Sequence, residues 1–179
     1  MRRVFRVAAL ANAAAGCGGF TSPALAGEPS RSSSGALERV GRFPYGASHA
    51  VATDGGLVYL GSGGALLVVD VSDPISPAVV GEAWFEDVVQ AIDVENGYAY
   101  LVFLDDGLRV VDVSVPSAPA EVGTLDVPYR PTAVVVAGGL AYVAQRGDGK
   151  TNGGMVVVDV TTPSTPVEVG STSTGWAVR

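Results

Sequence analysis

The chain has 179 residues, a net charge of −7, and a composition that is 47% hydrophobic but only 7% aromatic. That length suffices for one domain with a real core. With Arg2, Arg3 and Arg6 set aside as a leader, 8 basic residues face 18 acidic ones, a balance that speaks against a nucleic-acid partner; the single Cys17 excludes an internal disulfide framework.

Residues 1–26 have the form of an export signal. Met1 to Arg6 is basic, Val7 to Ala15 is a short apolar stretch, and Ala24-Leu25-Ala26 is a small-x-small cleavage site. The apolar run is shorter than the roughly 20 residues that span a bilayer. A second reading uses Ala15-Gly16-Cys17, which resembles the bacterial lipoprotein box, with Cys17 lipidated; Ala14 stands where a leucine is usual. The alternative to both is an Ala-rich tail with no targeting role. The expected location is therefore exported: extracellular, periplasmic or lipid-anchored at the outer surface, with membrane contact only through that anchor. Residues 27–36, rich in Gly, Pro and Ser, form a flexible linker.

From residue 37 the chain repeats itself. Leu37 to Phe43 matches the ends of two later segments and is expected as a lone outer strand. Each repeat then holds four short strand signals. The first strands are Ala50 to Ala52, Ala91 to Val94 and Ala133 to Val136, followed by the two-residue turns Gly55-Gly56, Asn96-Gly97 and Gly138-Gly139, which suit type I′ hairpins. The second are Leu57 to Leu60, Tyr98 to Leu101 and Leu140 to Val143, each with one tyrosine in place: Tyr59, Tyr100, Tyr142. The third are Leu66 to Val71, Leu108 to Val113 and Met155 to Val160, and the fourth Ala78 to Gly81, Ala120 to Leu125 and Val167 to Ser171. Between third and fourth runs Val-Asp-Val-Ser/Thr-x-Pro-x-x-Pro, whose aspartates, Asp70, Asp112 and Asp159, recur after 42 and 47 residues. Self-similarity at that period, filled with strand formers, marks a radial β-repeat. An Asp just before such a turn is suited to accept local backbone N–H bonds, a structural role.

The string Leu66-Leu67-Val68-Val69-Asp70-Val71-Ser72-Asp73-Pro74 and its two copies resemble the LVIVD-repeat family of β-propellers, over about residues 37–179. The resemblance implies one blade per repeat and an exported or cell-surface protein; it implies no particular reaction, so no catalytic residue follows from it. The expected fold is all-β: three complete four-stranded propeller blades (about 47–86, 88–127 and 132–173), an N-terminal outer strand, and a C-terminal stub over Gly175 to Arg179. Propellers close with about four to eight blades, so the chain has the form of a fragment of a larger propeller. The other expectation is self-association, two copies giving a six-bladed ring. Either way an isolated monomer would expose blade faces and is not expected to be stable.

Antiparallel strands put the Gly-type and Pro-x-x-Pro turns at one end of each blade, nearly the same in every copy. The other end varies, and loops on a rigid scaffold are where function concentrates. That rim carries Tyr45, Ser48 and His49; Glu86, Asp87 and Gln90; Asp105 and Asp106; Tyr129 and Arg130; and an insertion from Gln145 to Asn152 with Arg146 and Asp148. No cofactor is expected. If a metal binds it is Ca²⁺, since Glu82 to Asp106 holds seven acidic and no basic residues, although without EF-hand spacing. His49 is the single histidine, which argues against zinc and against a Ser-His-Asp triad. The expected function is an exported binding scaffold for a protein or glycan; the alternative is a fragment of a propeller hydrolase or lyase whose catalytic residues lie in further blades.

Overall fold

The computed structural model describes residues 45–147 and 153–174. Cys17, the export segment, the linker, the lone outer strand, Asp148 and the stub after Thr174 lie outside the described residues. Twelve strands follow in order: β1 Ser48–Asp54, β2 Leu57–Ser62, β3 Ala65–Asp70, β4 Ala78–Trp84, β5 Val89–Glu95, β6 Tyr98–Phe103, β7 Gly107–Asp112, β8 Ala120–Leu125, β9 Pro131–Ala137, β10 Leu140–Gln145, β11 Gly154–Asp159 and β12 Val167–Ser173. They form three antiparallel four-stranded sheets, β1-β2-β3-β4, β5-β6-β7-β8 and β9-β10-β11-β12. These are propeller blades, and the described residues are all-β.

Local chemistry explains the hairpins. Gly55-Gly56, Asn96-Gly97 and Gly138-Gly139 all take positive φ, between 54° and 83°, the mirror-image turn whose twist matches its flanking strands. The ladders run further than the hydrophobic pattern suggests. The second strands continue to Ser62, Phe103 and Gln145, because the turn beyond them stays paired: Ser62 lies opposite Ala65 and Phe103 opposite Gly107. The third strands stop one residue early, at Asp70, Asp112 and Asp159, where each aspartate takes over a backbone donor.

Each of those aspartates closes the same small ring. Asp70 Oδ1 accepts the Ser72 N–H at 2.8 Å, Asp112 the Ser114 N–H at 2.9 Å, and Asp159 the Thr161 N–H at 2.9 Å. The hydroxyls of Ser114 and Thr161 also donate, both at 2.6 Å. These bonds favour the ionised carboxylate and hold all three below the ordinary 3.8, Asp70 chiefly through the Ser72 N–H, the other two chiefly through the hydroxyl. A carboxyl depressed in the folded state adds stability above its unfolded pKa and loses it as pH falls through the folded value. The melting temperature is thus expected to fall off below pH 3.8. A triple variant, Asp70→Asn with Asp112→Asn and Asp159→Asn, should show a shallower acid slope; melts between pH 7 and 2 check this, and an unchanged slope would refute the assignment.

The core lies between blades. Along β3, Leu66 and Val68 point toward the second blade, while Ala65, Leu67 and Val69 point the other way, and all five are buried. Leu66, Val68, Tyr59, Ile92, Leu101 and Phe103 pack between blades one and two. Tyr100, Leu108, Val110, Val134, Val143 and Val156 pack between blades two and three. Each such fully buried aliphatic or aromatic side chain contributes about 1.5–3 kcal/mol.

Two polar devices accompany the apolar packing. The inner strands β1, β5 and β9 are neighbours in turn, and Asp93 on β5 reaches across to accept the Val136 N–H on β9 at 2.6 Å. In the second blade, Arg109 occupies the register position held by Leu67 and Val156. It bonds Glu121 at 3.0 Å and Asp106 at 3.5 Å, leaving its buried Nε without a partner.

The glycines of the fourth strands show how one blade seats the next. A methyl group added at Gly81 would collide with the Pro116 carbonyl and crowd Pro119; at Gly123 it would collide with the Pro163 carbonyl and crowd Pro166. The Pro-x-x-Pro turns of the second and third blades therefore rest on the glycine of the blade before them.

Candidate functional site at the variable rim

Each inner strand begins with a break in pairing at the end opposite the proline turns. His49, Gln90 and Thr132 are each an extra residue in a bulge, at one register position near the start of β1, β5 and β9. A bulge removes its residue from the ladder and re-aims the side chain. Three neighbouring inner strands thereby present a histidine, an amide and a hydroxyl at equivalent places. Nothing in the alternation of apolar residues signals these bulges; only the repeat alignment places the three residues together.

The acidic side of the rim is partly engaged in holding loops. Asp87 accepts the Val88 N–H at 2.6 Å and the Asp105 N–H at 3.0 Å, tying the β4–β5 connection to the β6–β7 turn. Asp106 is the ion-pair partner of Arg109. The Tyr45 hydroxyl donates to Glu82 at 2.7 Å, which raises the phenol above its ordinary value, and its ring sits 5.5 Å from that of Trp84. Ser62 fastens the same corner through the Tyr45 carbonyl and the Ser48 hydroxyl. Glu86, Asp105 and His49 are exposed. Among the described residues no three of His, Cys, Asp and Glu gather as metal ligands.

The third blade is different. Tyr129 and Arg130, just before β9, have φ of 63° and 51°, left-handed backbone that side-chain-bearing residues avoid at about 1–3 kcal/mol each. The surrounding structure holds them there: the Arg146 N–H bonds the Arg130 carbonyl at 3.2 Å, and the Gln145 amide bonds the Pro128 carbonyl. Tyr129 is exposed, and so are Arg130 and Arg146. Beside them lies a groove of about 260 Å³, lined by Tyr129, Gln145, Gly154, Ser171, Thr172 and Ser173. Among the described residues the rim is thus acidic along the first two blades and carries two exposed arginines at the third.

Stacked four-stranded blades joined through their inner strands define a β-propeller repeat protein. The LVIVD repeat profile matches residues 45–83, 88–127 and 132–174, so the chain belongs to the LVIVD-repeat family. No curated protein matches the sequence. Among solved structures, it is similar to hydrazine synthase of Kuenenia stuttgartiensis (17% identity, TM-score 0.57, 70% of this chain and 37% of that one). It is also similar to Sqt1 of Saccharomyces cerevisiae (10%, 0.60, 72% and 36%) and to a europium-containing methanol dehydrogenase (18%, 0.56, 73% and 26%). At these identities the likeness is one of fold, and the chain spans between 26% and 37% of those proteins.

Proposed function

We propose that this protein is an exported binding scaffold that presents its variable rim, at the cell surface or in the periplasm, to a glycan bearing carboxylate groups. The observation that carries this reading is the left-handed Tyr129-Arg130 pair, pinned to Arg146 beside the groove. Strained residues over-determined by their surroundings cluster at ligand sites. An exposed tyrosine offers a flat face to a sugar ring, Ser171, Thr172 and Ser173 offer hydroxyls, and the exposed Arg130 and Arg146 carry guanidinium groups, which suit carboxylates.

Calorimetric titration with polygalacturonate, and with dextran as a neutral control, tests the proposal. Tyr129→Ala and Arg130→Ala should each weaken polygalacturonate binding about tenfold, roughly 1.4 kcal/mol, with the far-ultraviolet spectrum unchanged. Absence of binding, or equal binding by the variants, would count against it. Fractionation of the producing cells checks export: recovery in the cytoplasm would oppose that part. The second reading, a piece of a propeller enzyme, draws on two structural neighbours being named as a synthase and a dehydrogenase.

A further inference from the structure

The two blade-to-blade junctions predict what a third should look like, and among the described residues the third blade carries one half of such a junction unfilled. Gly81 and Gly123 lie beneath the proline turn of the following blade, whereas a methyl group placed on Gly170, their counterpart on β12, meets no atom within 4 Å. Tyr59 and Tyr100 are each 3% exposed inside a junction; Tyr142, in the same register, is 37% exposed, and Val135, opposite it on β9, is 58% exposed. The third blade therefore carries an empty seat with the residues of a filled one.

The matching key is at the other end. Pro116, Pro119 and Pro163 are half-buried and Pro166 is buried, each seated on the preceding blade, but Pro74 and Pro77 of the first blade are exposed and Ile75 is 81% exposed. Trp84, stacked near Tyr45, is 62% exposed on the same blade. Ala65, Leu67 and Val69 are already buried, so the first blade offers this aromatic pair and its turn rather than a bare sheet.

We propose that the Gly170 face of the third blade binds the first blade of a second copy of this chain, with the Pro74–Pro77 turn lying over Gly170. Each copy has one seat and one turn, so the contact is head-to-tail. Two copies, each supplying its three described blades, satisfy both contacts at once, and six blades fall within the range in which propellers close. Because both partners are acidic, with a net charge of −7 each, added salt should strengthen association by screening their repulsion. This proposal does not depend on the rim.

The test uses the full chain carrying Cys17→Ser. Light scattering from about 1 to 100 μM should give twice the monomer mass, more completely at 0.5 M than at 0.05 M salt. Gly170→Trp fills the seat and should weaken association at least tenfold while leaving the circular dichroism of the monomer unchanged. Mixing copies that carry Gly170→Cys with copies that carry Ile75→Cys should produce a mixed disulfide dimer under mild oxidation. A wild-type monomer at 100 μM would overturn the proposal, as would a Gly170→Trp dimer of undiminished affinity. Bridging of Gly170→Cys copies to one another would do so too, because two third blades would then be meeting face to face.

Discussion

Gly81→Ala and Gly123→Ala are expected to destabilise the protein by about 2–3 kcal/mol each, while Gly170→Ala, measured on the dissociated monomer, stays within about 0.5 kcal/mol of wild type. The three glycines occupy one register position on one kind of strand, so helix or strand propensity cancels from the comparison. What differs is the space above each. At Gly81 and Gly123 the new methyl group meets a backbone carbonyl of the next blade, which cannot swing aside as a side chain does. Above Gly170 there is nothing within 4 Å. The alanine also restricts the unfolded chain, an effect worth about 0.4–1 kcal/mol in its favour, and the overpacking outweighs it. Thermal melts should show a fall on the order of 10 °C for the first two variants. Equal melting temperatures for all three would mean that the blades do not seat through their proline turns.

Asp93→Ala should cost about 1.5–3 kcal/mol, the range for a hydrogen bond to a charged group whose loss strands its partner. The Asp93 carboxylate accepts the Val94 N–H at 2.9 Å and the Val136 N–H at 2.6 Å, and the second of these joins two blades. Val136 is buried, so its amide has no ready substitute. Asp93→Asn retains an acceptor oxygen and should lose only part of the stability. Denaturant midpoints order the three proteins, and hydrogen exchange at Val136 reports the bond directly. An Asp93→Ala protein with wild-type stability and an equally slow Val136 amide would remove the clamp from the account. The equivalent positions are Ala52 and Val135, so the repeat holds this device once among the described blades.

The fold could be read in the sequence because its determinants are local and tripled: two-residue turns with Gly or Asn-Gly, tyrosines in fixed register, and the Asp-to-Pro phrase. Each is a contact between residues close in sequence, and three copies in register leave few alternatives. The exposure of Tyr142 was not legible from a tyrosine pattern that treats three positions alike, since burial depends on which blade has a neighbour. The bulges at His49, Gln90 and Thr132 were hidden because strand alternation fixes faces, not breaks in pairing. The rim roles were only partly legible. Carboxylates at Asp87 and Asp106 look the same in sequence whether they serve a ligand, two backbone amides or an arginine 3.5 Å away. The left-handed pair at Tyr129 and Arg130 contradicts residue preference, and only the surrounding bonds impose it.

The seat and the turn that fills it belong to different blades, yet they sit in one stretch of chain: Pro74 and Pro77 precede Gly81, and Pro116 and Pro119 precede Gly123. Any repeat copied whole thus carries a key for the unit upstream and a lock for the unit downstream. Duplicating such a cassette lengthens the row without inventing a new surface.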